Sequence, residues 1–114
     1  MSKSVLIIED NLDIRDALVL MLSQLGCVCR VASTRDEALK QLEADRFDMI
    51  LTDFVMPGIG LLAFRQEVKR LRPNTPIVVF SSFDSIEDDM RALGFGFFRK
   101  PFDEETLKKV CSDV

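Results

Sequence analysis

Met49-Ile50-Leu51-Thr52-Asp53-Phe54-Val55-Met56-Pro57-Gly58 decides how this chain folds. A short apolar run ends on an acid and passes at once into a Met-Pro-Gly turn. The same grammar recurs along the sequence. Val5-Leu6-Ile7-Ile8 runs into Glu9-Asp10, Ile77-Val78-Val79-Phe80 into Ser81, and Phe97-Phe98 into Lys100-Pro101. Read as parallel strands, these runs bring their carboxyl ends to one sheet edge, the place where open α/β sheets hold ligands. That edge would carry three carboxylates (Glu9, Asp10 and Asp53), a hydroxyl and an ammonium.

Helical patterns fill the intervals. Ile14, Ala17, Leu18, Met21, Leu22 and Leu25 form an apolar stripe that Gly26 closes. A second strand is expected over Cys27 to Ala32, followed by Thr34-Arg35-Asp36-Glu37 as a capping box. The helix it opens carries Ala38, Leu39 and Leu42 and ends near Asp45. A strand over Phe47 to Thr52 leads to a helix bearing Leu61, Phe64, Val68 and Leu71, which Pro73 stops. Pro76 opens the fourth strand. Asp84-Ser85 caps a helix with Ile86, Met90 and Leu93, and Gly94 ends it. The fifth strand is Phe95 to Arg99. Asp103 caps the last helix, with Glu104-Glu105 in its first turn and Lys108-Lys109 beyond. Strands alternating with helices imply a doubly wound α/β sandwich with a (βα)5, flavodoxin-like plan and strand order 2-1-3-4-5.

Composition narrows the function classes. With 114 residues the chain fits one domain, 1–114, and its net charge of −4 without a Lys/Arg run argues against nucleic-acid contact. The apolar run near the amino terminus is too short for a signal peptide or a membrane span, so a cytoplasmic protein is expected. The chain has no histidine, which excludes Ser-His-Asp and Cys-His catalysts and histidine-ligated metals. Cys27, Cys29 and Cys111 lack metal-ligand spacing and read as small core residues. On a strand, Cys27, Cys29 and Val31 share one face.

Leu6-Ile7-Ile8-Glu9-Asp10-Asn11, Leu51 to Gly58, Pro76 to Ser82 and Lys100-Pro101-Phe102, in that order, resemble the receiver domains of bacterial two-component response regulators. The resemblance runs from Val5 to about Val114. It implies that Asp53 accepts a phosphoryl group from a sensor histidine kinase or a histidine phosphotransfer protein. It makes Asp10 the direct Mg2+ ligand, Glu9 the acid that binds through water, and Val55 the donor of a backbone carbonyl to the metal. Ser81 would hydrogen-bond a phosphoryl oxygen, Lys100 would pair with the acceptor, and Lys100-Pro101 would be cis. Phe97 would be the aromatic that changes rotamer on activation. The face formed by helix four, strand five and helix five would then meet an output domain, a partner protein or a second copy. Three departures from the pattern fall close to the site. Ile59 runs directly into Gly60, one residue short; the Gly94-Phe97 connection is also one short; and Phe97 lacks a hydroxyl.

The chemistry agrees with the resemblance. Crowded carboxylates repel and favour a cation among them. Magnesium is held by one or two carboxylates with phosphate oxygens and waters. An aspartate nucleophile forms an acyl phosphate, and a loose phosphoryl transition state calls for metal, ammonium and hydroxyl donors. Two alternatives stand beside this reading: a receiver that only binds partners without phosphorylation, and a haloacid-dehalogenase-type phosphatase. The phosphatase would carry a second aspartate where Val55 stands, and the chain has no room for a cap domain. A flavodoxin-like cofactor site is disfavoured because Asp10-Asn11-Leu12-Asp13 is acidic and lacks glycine.

Overall fold

Each quoted apolar run becomes a strand in the computed structural model, which describes residues 3–112. The strands are β1 (Ser4–Ile8), β2 (Val28–Ala32), β3 (Met49–Asp53), β4 (Ile77–Ser81) and β5 (Gly96–Arg99). All pair in parallel in the order β2-β1-β3-β4-β5, as the alternating pattern requires. The helices are α1 (Leu12–Gln24), α2 (Arg35–Ala44), α3 (Leu61–Leu71), α4 (Glu87–Ala92) and α5 (Glu104–Ser112). Among the described residues no helix is long and apolar enough to cross a membrane. Of the expected domain 1–114, residues 1, 2, 113 and 114 lie outside the described residues.

Strand periodicity sorts the core into two layers. Leu6, Ile8, Ile50 and Val79 face Ala38, Leu42, Phe64, Val68 and Met90 on α2, α3 and α4. Their strand neighbours Val5, Ile7, Met49, Leu51, Val78 and Phe80 face Leu18, Leu22 and Leu107 on α1 and α5. β3 and β4 are buried at every position, so alternation disappears from their sequence. At the β2 edge, Cys29 and Val31 lie opposite Val5 and Ile7 and join the same layer, as their spacing predicts. The three cysteines are free, with Cys27 Sγ and Cys111 Sγ 3.8 Å apart.

Local chemistry sets the element ends. Asn11 caps α1 by accepting from the Ile14 N–H at 3.0 Å, and Gly26 (φ +89°) turns the chain out of that helix. Thr34 accepts from the Glu37 N–H at 3.1 Å, as expected of its capping box. Asp103 accepts from the Thr106 N–H at 2.9 Å, which holds its carboxyl below the usual aspartate range. The fourth helix departs most from expectation. Asp84–Ile86 forms a 3-10 turn and only Glu87–Ala92 is α-helical. Glu87, Asp88 and Asp89 crowd its first turn, and its N-cap residue, Ile86, offers no side-chain cap. The Asp84 side chain, expected as the cap, lies outside the described residues.

Candidate functional site

Sheet register assembles the site. Ile8 lies opposite Thr52, so the next residues, Glu9 and Asp53, leave adjacent strands side by side. Asp53 is level with Phe80, and Ser81 with Arg99. Ser81 and Lys100 therefore emerge one step further on.

Three of the expected side chains meet. Lys100 Nζ donates to Asp53 Oδ2 at 3.0 Å and to Glu9 Oε1 at 3.4 Å. It also lies 5.3 Å from the centre of the Phe80 ring. The Lys100–Pro101 peptide is cis. Glu9 is fully buried, and its other oxygen, Oε2, accepts from the Asp10 N–H at 3.0 Å and the Asn11 N–H at 3.3 Å. Loss of solvent, followed by the charge of Asp53, pushes the Glu9 carboxyl up to about 7. The Asn11 N–H and Lys100 oppose that rise. One ammonium thus serves two buried acids, and the edge has an excess of negative charge.

Among the described residues no other expected side chain hydrogen-bonds to this trio. Asp10 is exposed at the head of α1. Ser81 is 2% exposed, and its Oγ accepts from the Phe83 N–H at 3.0 Å. The Val55 side chain points into solvent. Phe97 pairs with Val79 on β5 and is 5% exposed, packed in the layer that holds Met90 and Phe95.

The donors fit magnesium in kind. All are hard oxygens, the ligands that magnesium takes. Among the described residues no three acidic or thiol side chains converge into a ready-made metal cage.

Sequence reasoning missed Arg35. It figured there only as part of a capping box, yet it is 2% exposed. Its Nη2 donates to the carbonyls of Asp53 at 2.8 Å and Phe54 at 3.0 Å. Its Nη1 reaches the Ile59 carbonyl at 3.2 Å, and its Nε the Thr52 hydroxyl at 3.3 Å. Burial lowers its pKa, and the charge of Asp53 opposes that effect. Nothing local marks it, because its partners lie in the loop after β3.

Fold and site together define a doubly wound α/β domain with an acidic edge answered by one lysine. The family model for the response regulator receiver domain matches residues 5–112, and the chain belongs to that family. It is a signalling domain of two-component systems. The response regulator protein PilR of Pseudomonas aeruginosa is 30% identical over 110 residues, 94% of this chain and 25% of PilR. The phosphate regulon transcriptional regulatory protein PhoB of Escherichia coli is 30% identical over 112 residues, 94% of this chain and 49% of PhoB. The chain therefore spans between a quarter and a half of these relatives. The chemotaxis response regulator CheY4 of Vibrio cholerae superimposes with a TM-score of 0.88 at 30% identity, over 99% of this chain and 98% of CheY4.

Proposed function

We propose that Asp53 accepts a phosphoryl group from a histidine kinase or a histidine phosphotransfer protein in a Mg2+-dependent reaction in the cytoplasm. The observation that carries this reading is the pairing of Lys100 Nζ with Asp53 Oδ2 at 3.0 Å while Glu9 shares the same ammonium. An Asp53 oxygen attacks phosphorus, the bond from phosphorus to the donor nitrogen breaks, and an acyl phosphate forms. Lys100 stays with the transferred group and neutralises part of its charge. The Ser81 hydroxyl, at the next strand end, donates to a phosphoryl oxygen. Asp10 and Glu9, with the carbonyl of Val55 and Asp53 itself, are the residues that would hold Mg2+. Once bound, the ion supplies positive charge to the phosphoryl oxygens. Phe97 then adjusts within its layer and alters the face of α4, β5 and α5, which meets an output domain, a partner or a second copy.

Val55 speaks against the phosphatase reading, since the place of a second acid is held by an exposed apolar side chain. The test pairs wild type with Asp53→Asn. With Mg2+ and a small phosphodonor, wild type should gain one base-labile adduct of ~80 Da. The variant should keep its fold and gain none. Undiminished labelling of Asp53→Asn would remove Asp53 as the acceptor. An unlabelled wild type would favour the receiver that only binds partners.

A further inference from the structure

Arg35 and Asp36 open α2, and both reach the loop that runs from β3 to α3. The Arg35 guanidinium holds the carbonyls of Asp53 and Phe54 at one end of that loop and the carbonyl of Ile59 at the other. Asp36 Oδ2 accepts from the Ile59 N–H at 3.2 Å. Both main-chain polar groups of Ile59 are thus gripped by two consecutive residues of one helix. Asp36 also closes on Gly58, where φ is +90° and a Cβ would run into Asp36 Oδ2. The loop is one residue shorter than the receiver pattern, and its short span ends on these contacts.

Stability alone does not account for this arrangement. The four acceptors of Arg35 are three carbonyls and a hydroxyl, all neutral, and the charge of Asp53 offsets only part of the cost of desolvating the guanidinium. Apolar replacements of buried charges are often neutral or stabilising. What the guanidinium adds is geometry. Its planar fork fixes several acceptors at once, which an ammonium cannot do. Val55 lies between the two anchored ends.

We infer that Arg35, aided by Asp36, is a positioning residue for the metal site: it clamps the segment from Asp53 to Ile59 so that the Val55 carbonyl stands ready as a ligand. The inference rests on the Mg2+-dependent reading given above. Arg35 itself touches neither metal nor phosphate. It acts as outer partners of metal ligands do, by orienting the group that binds.

The experiment is calorimetric titration of the metal-free chain with Mg2+ alone. It compares wild type, Arg35→Lys, Arg35→Met, Asp36→Ala and the control Leu39→Ala. Leu39 packs against the core from the same helix and touches no loop carbonyl named here. Both Arg35 variants should raise the Kd for Mg2+ by about tenfold or more. Asp36→Ala should move it the same way by less, and Leu39→Ala should lower Tm without moving it. At saturating Mg2+, Arg35→Lys should still take up the phosphoryl group, because Asp53 and Lys100 are intact. Arg35→Lys keeps the buried charge, so it decides the matter if Arg35→Met does not fold. A Kd in Arg35→Lys displaced no further than in Leu39→Ala overturns the clamp alone. A wild type that binds no Mg2+ overturns the clamp together with the functional reading.

Discussion

Glu9 should set how the metal-free domain responds to pH, and in the direction opposite to ordinary acid denaturation. A free glutamate titrates at 4.5, whereas this buried one is pushed up to about 7 by desolvation and by Asp53. Between those values the folded chain holds a proton that the unfolded chain has released. Its contribution to stability is therefore complete below pH 4.5 and is lost as pH rises through about 7. At roughly 1.36 kcal/mol per pH unit, the rise from 4.5 to about 7 amounts to about 3 kcal/mol. Asp53 and Lys100 are the charged groups that face it. With no Trp or Tyr in the chain, urea unfolding should be followed by far-UV circular dichroism, in chelator, from pH 5 to pH 8. The quantity of interest is wild type minus Glu9→Gln, because the acids that do not face Glu9 titrate alike in both. Wild type should weaken relative to Glu9→Gln by that amount across the range, and Mg2+ should restore it at pH 8. Parallel stability profiles for the two proteins would refute the buried, metal-seeking acid.

Magnesium should raise the Tm of the unphosphorylated wild type, since only the folded state gathers the acids, and Asp10→Ala should lose that rise in a thermal melt. An equal Mg2+ response in the variant would contradict the role given to Asp10. Val55 and Phe83, two residues beyond Asp53 and two beyond Ser81, are exposed apolar side chains and offer no group to orient water. Val55→Asn with Phe83→Glu should therefore speed loss of the phosphoryl group by at least about tenfold, roughly 1.4 kcal/mol of barrier. An unchanged decay rate would show that these side chains do not govern the water. Burial, and then neighbouring Cys27, push the Cys111 thiol up to about 12. At pH 8 its alkylation should be slower than that of an unstructured cysteine by at least about a hundredfold. Alkylation at the free rate would mean that the thiol is not held as described.

The fold was legible where residues speak for their own surroundings. Apolar runs ending on Glu9, Asp53, Ser81 and Lys100 named strands and a common edge, and parallel register did the rest. Strand limits shifted by a residue or two. Phe47 is buried core yet lies ahead of β3, and Asp53 belongs to the strand it was expected to follow. The 3-10 opening of the fourth helix was not legible, because its apolar stripe fits either winding over so few residues. Arg35 was the larger miss. A charged residue at the first position of a capped helix looks solvated, and only a loop that folds back from β3 buries it. Its signal was indirect: Ile59 meeting Gly60 one residue early meant that the loop had to close on something.

The central claim is that the carboxylate of Asp53 becomes a mixed anhydride with phosphate, and borohydride trapping addresses that bond directly. The wild-type chain is treated with a small phosphodonor in Mg2+ and then with borohydride, and its peptides are sequenced by mass spectrometry. An acyl phosphate at Asp53 is reduced to the alcohol, so residue 53 should be read as homoserine. The conversion should vanish in chelator. Trapping at any other acid, or at none while the domain is folded and supplied with Mg2+, would contradict the account.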